Sequence, residues 1–161
     1  MRSGLLAGAA LVAFGAPLAP RVWGQRLTAA EGGFGASIVV ARRTYAGAEL
    51  GIAYRPGGQS RVALALAAGS ERQRAALRAQ LTAQFLVTPA ARAGAGLYGG
   101  LGVAVAARRG SPGAGYLALL LGVEGAPGRR AGWYGELGLA GGVRAAVGWR
   151  ARRFPAWWRG G

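Results

Sequence analysis

The sequence contains no cysteine, histidine, aspartate, asparagine or lysine. Without cysteine there is no disulfide framework and no thiolate metal site. Without histidine and aspartate, a Ser-His-Asp triad, a Cys-His pair and a His/Cys metal cluster are excluded. Glycine runs such as Gly96-Leu97-Tyr98-Gly99-Gly100 lack the Lys-Ser/Thr ending of a phosphate-binding loop. Past the N-terminal region no stretch reaches the roughly 18 uninterrupted apolar residues that a spanning helix needs. The most apolar segment, 117–123, is too short. Acidic residues are also scarce: five glutamates stand against 20 basic residues in 161, a formal charge of +15.

All the basic residues are arginines, scattered or paired at segment ends, as in Arg42-Arg43, Arg108-Arg109, Arg129-Arg130 and Arg152-Arg153. A nucleic-acid footprint should cluster on one face. No such stripe exists, so no nucleic-acid partner is expected, and a basic nucleic-acid-binding protein is kept only as an alternative.

Residues 1–24 read as a secretory signal: Arg2 at the start, an apolar stretch from Leu5 to Leu18, and Val22-Trp23-Gly24 before a cut. A cut near Ala19, or an uncleaved anchor, are the other options. Residues 25–33 read as a short leader, 34–151 as a β-barrel and 152–161 as a tail.

What the chain does have is alternation. Ala75, Leu77, Ala79, Leu81, Ala83, Phe85 and Val87 share one parity, and Arg74, Arg78, Gln80, Thr82 and Gln84 occupy the other. A period of two is the strand period, and segments of roughly 9–11 residues suit a tilted strand crossing a bilayer. The pattern predicts eight strands, over 34–41, 45–54, 61–68, 74–87, 97–107, 116–124, 133–140 and 143–149, with turns at Arg42-Arg43, Pro56-Gly57-Gly58, Gly110–Gly113 and Gly141-Gly142. Two segments fit less well. Leu120 breaks the alternation of the sixth. Ser70-Glu71-Arg72-Gln73 resembles a helix capping box, and 71–87 taken alone is as good a helix as a strand. Seven alternating pairs and the even strand count favour the strand.

The fold class is therefore all-β: an eight-stranded antiparallel up-and-down transmembrane β-barrel. Such a barrel must close, because lipid offers backbone groups no partner, and it wears its apolar face outward. The inward parity then carries Glu49, Arg61, Arg78, Glu124, Glu136, Arg144 and Arg150, with Gln80, Thr82, Gln84, Tyr98 and Tyr134 among them. Charges inside so narrow a barrel must be paired and hydrogen-bonded, which makes these residues a candidate lumen network. Phe34, Tyr54, Phe85, Trp133 and Trp149 lie on the outward parity toward one end, where aromatics gather at a membrane interface.

In this pattern and length the chain resembles the small eight-stranded outer-membrane β-barrel proteins of bacteria, the group that includes the transmembrane domain of the OmpA-like proteins. The resemblance covers about 34–149. It implies the bacterial outer membrane as location, outer-membrane lipid and the barrel-assembly machinery as partners, and a monomer. Barrels of this kind usually end in an outward aromatic residue. Here Trp149 is the last in phase, and 150–161 trail after it. The loops are short for extracellular ones, which runs against an adhesin. Barrel enzymes that modify lipid or cut peptides use His with Ser or Asp, so no enzyme is expected, and no cofactor or metal. Glu124 and Glu136 could in principle do acid–base work, but arginine partners explain them better.

The expected function is a small outer-membrane barrel with a packed polar lumen and a structural or envelope-interaction role. Eight strands leave room for side chains or one small ligand rather than a bulk channel. The alternative is a soluble periplasmic β-barrel or sandwich binding a small apolar ligand.

Overall fold

The computed structural model describes residues 27–158. The expected signal, 1–24, lies outside them. Eight strands follow in order: β1 (Ala29–Val40), β2 (Tyr45–Gly57), β3 (Ser60–Glu71), β4 (Arg74–Leu86), β5 (Ala95–Arg108), β6 (Ser111–Gly125), β7 (Ala131–Leu139) and β8 (Val143–Arg153). Each pairs antiparallel with its sequence neighbour, and β1 pairs with β8, which closes the barrel. The segment that could have been a helix is β4, held along its length between β3 and β5. A strand flanked on both sides satisfies every backbone group, so pairing overrides local helix propensity.

Seven of the eight strands are longer than the alternation alone predicted, while β4 stops at Leu86, one residue short of the expected 87. β1 starts at Ala29, so much of the expected leader 25–33 is barrel wall. Gly32 and Gly33 look like a turn, yet they pair with Ile52 and Gly51 on one side and with Ala151 and Arg150 on the other. β6 takes in Ser111-Pro112-Gly113, read from sequence as a loop. The β5–β6 register slips between Ala106 and Arg108 beside it, and a slip of this kind accommodates a proline that has no N–H to donate. β8 continues to Arg153, so Arg152 and Arg153 belong to the wall and the tail starts later.

The two ends differ. The end carrying Ala29 and Arg153 is called here the near end. Its connections are 58–59, 87–94 and 126–130. The far-end turns, 41–44, 72–73, 109–110 and 140–142, are tight. The β3–β4 turn is made by Arg72 and Gln73 at φ 49° and 62°. Positive φ at both central positions is the signature of a two-residue hairpin turn whose twist matches that of the strands. Ser70–Gln73, the apparent capping box, is this turn.

The apolar parity faces out. Leu50, Leu101, Leu121 and Val147 are more than 60% exposed, and Leu117 is 84% exposed. A soluble barrel would bury this set. The inward apolar groups form three small clusters: Val39, Tyr45, Ala67 and Ala76; Leu86, Tyr98 and Leu120; and Ala104, Ala118 and Ala140. Leu120, the break in the alternation, is on the inward parity and packs beside Tyr98.

Candidate functional site

The interior is built on charge. Glu31 (β1), Glu49 (β2), Glu124 (β6) and Glu136 (β7) face Arg55, Arg61, Arg144, Arg150 and Arg152, and Arg78 shares the inward parity. Strand parity delivers each of them, and small neighbours make the space. A Cβ on Gly122 would stand 2.2 Å from the Tyr98 ring; glycine there lets the ring lie flat against the wall.

Glu124 is the centre of a knot toward the near end. It is 1% exposed. Its Oε2 accepts from Arg61 Nη1 at 2.9 Å, Arg150 Nη1 at 2.8 Å and Arg152 Nη2 at 2.8 Å, while Oε1 accepts from Arg55 Nη2 at 3.2 Å. Glu31 is the second acid of the knot: it accepts from Arg55 Nε and, at 3.3 Å, from Arg61 Nη1, with Arg150 Nε 3.5 Å away. Two carboxylates thus hold four guanidiniums. The excess is spread over other groups. Arg61 donates to Gln84 Oε1 at 2.7 Å, and its guanidinium sits 4.3 Å from the Tyr98 ring centroid. Arg150 lies 4.5 Å from the Tyr134 ring. Arg55 donates to the loop carbonyls of Pro89 and Pro127 at 3.3 and 3.4 Å. Charge-assisted bonds and ring faces together offset the desolvation of these cations.

A second group lies farther along the lumen. Arg144 donates to both oxygens of Glu49, at 2.8 and 2.6 Å, and to Glu136 Oε2 at 2.8 Å. Tyr98 Oη donates to Glu136 Oε1 at 2.9 Å. Arg150 Nη2, 3.6 Å from the same oxygen, links this group to the knot.

Of the residues singled out from sequence, Glu49, Arg61, Glu124, Glu136, Arg144 and Arg150 are therefore brought together in one connected network. Arg78 stands apart. It donates to the Ala140 carbonyl and lies 5.6 Å from the Tyr45 ring, with no ion pair among the described residues. Its place is the floor of a 440 Å³ vestibule at the far end, beside Arg42, Arg43 and Arg108.

Glu31, Arg55 and Arg152 were missed by the sequence reading. The signal was present: continuing the period of two past the assumed strand ends places all three inward.

At the near end the connections 87–94 and 126–130 bond to each other, through Ala126 N–H to Gly94 O and Gly128 N–H to Ala91 O, their Pro89 and Pro127 carbonyls accept from buried Arg55, and Pro127 is itself buried. Trp158 Nε1 donates to the Gly128 carbonyl at 3.0 Å, and Arg92 lies 4.5 Å from the Trp158 ring. Spaces left between lumen side chains measure 40 and 10 Å³, room for on the order of one to three waters.

On the outside, Phe34, Tyr54, Phe85, Trp133 and Trp149 are 46–64% exposed on the outward face. Trp133 pairs with Trp149, and Trp149 with Phe34, so three aromatics sit side by side across β7, β8 and β1.

Comparison with solved structures gives the same architecture. The N-terminal β-barrel domain of OprF from Pseudomonas aeruginosa matches 78% of this chain and 97% of its own at 16% identity, with a TM-score of 0.58. The outer membrane protein OprG of the same organism matches 81% and 97% at 12% identity, TM-score 0.59. Ail, the attachment invasion locus protein of Yersinia pestis, matches 80% and 99% at 16% identity, TM-score 0.51.

The fold is that of the small eight-stranded outer-membrane barrels.

At these identities the likeness is one of fold. No protein-family model and no curated protein sequence matches the chain. The apolar parity forms an exposed outward band, and the charged network lies inside the closed sheet.

Proposed function

We propose that this protein is a bacterial outer-membrane barrel whose lumen is sealed, and that it serves the envelope as a structural and interaction element, neither a bulk channel nor an enzyme. The observation that carries the reading is the knot at Glu124. Its arginines come from β2, β3 and β8, so the ion pairs cross the lumen and lie in the path an ion would take. The cover formed by 87–94, 126–130 and Trp158 supports the same conclusion. The outward aromatics Phe34, Tyr54, Phe85, Trp133 and Trp149 would mark one membrane interface. The apolar band speaks against a soluble ligand carrier.

The test has two parts. Fractionation should find the exported chain in the outer membrane, running as a heat-modifiable band. Planar-bilayer recording of the purified protein should show no open-channel steps, whereas Arg61→Ala combined with Glu124→Ala should introduce them. Steady conductance from the parent protein would overturn the sealed lumen. Recovery in a detergent-free soluble fraction would overturn the membrane reading.

A further inference from the structure

The far-end vestibule is a product of the inward parity. Around Arg78 the inward positions of β4, β5 and β6 carry Ala76, Ala106 and Ala114, and side chains this small leave 440 Å³ of space. That volume lies within the roughly 300–1,000 Å³ of small-molecule sites. Arg78 is four residues into β4 from Arg74, about 13 Å along the strand, so the floor lies well below the rim.

Two polar groups at this floor lack partners. Tyr45 is 1% exposed, and its Oη makes no hydrogen bond among the described residues. The ring lies along the wall over Gly47, where a Cβ would stand 2.3 Å from that oxygen. A buried hydroxyl without a partner is costly, and such groups mark places where something else binds. Arg78 bonds the Ala140 carbonyl through Nη2 and leaves Nε and Nη1 without a partner among the described residues. Its guanidinium is 5.6 Å from the Tyr45 ring, so the two unsatisfied groups share one floor.

The mouth adds charge of the same sign. Arg42 and Arg43, in the β1–β2 turn, line it, are exposed and have no ion pair among the described residues. Glu71, the carboxylate of the lining, is already held by Arg108 at 3.5 Å. Four arginines against one glutamate leave the lining with a formal charge of +3.

We infer that the vestibule is a binding site for a small, water-soluble phosphate monoester. The phosphate sits on the floor, where Arg78 Nε and Nη1 and the Tyr45 hydroxyl donate to its oxygens. The organic part fills the space toward Arg42 and Arg43. A tetrahedral dianion accepts from several donors at once, and guanidinium is suited to it. One ligand thus gives Arg78 a counter-ion and Tyr45 an acceptor. A phospholipid does not fit: the closed sheet stands between this floor and the outer face where acyl chains would lie. The site is separate from the Glu124 knot and goes beyond the sealed-lumen reading.

Full-length protein refolded in detergent micelles is titrated with glucose 6-phosphate by calorimetry. One saturable site is expected. Inorganic phosphate should compete for it, whereas glucose, and dioleoyl phosphatidate mixed into the micelle, should not. Arg78→Gln should weaken binding by roughly tenfold or more, and Tyr45→Phe by roughly three- to tenfold. Tyr45→Phe removes no hydrogen bond of the protein's own and should fold as the parent does. Arg129→Gln takes the same charge from the opposite end of the barrel and should bind as the parent does. Absence of saturable binding to the parent would overturn the inference, and so would competition by phosphatidate as strong as that by inorganic phosphate. Equal losses in Arg129→Gln and Arg78→Gln would reduce the effect to diffuse attraction and overturn it too. An unchanged affinity in Tyr45→Phe, the result if water alone satisfies the hydroxyl, would do the same.

Discussion

Arg61 of β3 and Glu124 of β6 meet across the barrel at 2.9 Å, from strands that are not neighbours in either direction around the wall. Their contact ties opposite sides of the lumen together, and Arg55, Arg150 and Arg152 share the same carboxylate. Removing that charge leaves four buried guanidiniums around one remaining acid, Glu31.

Glu124→Gln should therefore lower the unfolding free energy by about 3–5 kcal/mol, the usual cost of breaking a buried pair. The measurement is urea unfolding in lipid vesicles. Glu124→Gln/Arg152→Gln should cost less than the two single changes summed, because the second removes a cation the first has orphaned. Strict additivity would mean the two groups do not interact.

Neighbouring residues of β4 should differ sharply. Leu81 is on the outward face, 49% exposed, and Thr82 is 3% exposed inside. Leu81→Arg should impair insertion into liposomes, at about 2–4 kcal/mol for a midplane arginine. Thr82→Val should insert normally and lose only the bond that Thr82 Oγ1 accepts from Gln84 Nε2 at 2.8 Å. Equal insertion defects would contradict the strand parity.

The β3–β4 turn holds two non-glycine residues at positive φ. A left-handed conformation costs an L-residue roughly 1–2 kcal/mol. Gln73→Gly should raise stability by a fraction of that, about 0.5–1 kcal/mol, because glycine's greater freedom when unfolded offsets part of the gain. A fall in the urea midpoint would show that the Gln73 side chain contributes to the turn.

Gly122→Ala should act at a distance from the charges it disturbs. The added methyl would press on the Tyr98 ring, which must move and give up its bond to Glu136. Loss of about 1–3 kcal/mol is expected, the range for overpacking. Tyr98→Phe in the Gly122→Ala background should then add little, since the bond is already gone.

Much of the fold could be read from alternation. The strand count, the closure and the inward placement of Glu49, Glu124, Glu136, Arg61, Arg144 and Arg150 all follow from a period of two. Strand ends did not. Gly32-Gly33 and Ser111-Pro112-Gly113 carry turn residues, yet the sheet pairs through them, because backbone pairing in a closed barrel outweighs local preference. Starting β1 too late hid Glu31, and ending β2 and β8 too early hid Arg55 and Arg152. Which carboxylate meets which guanidinium was not legible either. Parity fixes the side of the wall, but the pairing depends on strand stagger and on how far each arginine reaches. Arg78 shows this: its parity matches the others, and its height in the barrel leaves it at the vestibule floor.

The sequence separations within the knot bear on how the barrel forms. Glu124 takes its partners from 69 and 63 residues upstream and from 26 and 28 residues downstream. No run of consecutive strands short of β2 to β8 contains them all, and Glu31 adds β1. A growing, still-open sheet therefore carries unneutralised arginines on its concave side, where water must solvate them. The compensation from Glu31 arrives only when β1 meets β8. Closure, expulsion of that water and completion of the ion pairs become a single late event, with a barrier set by long-range contacts and little reward for any half-built intermediate.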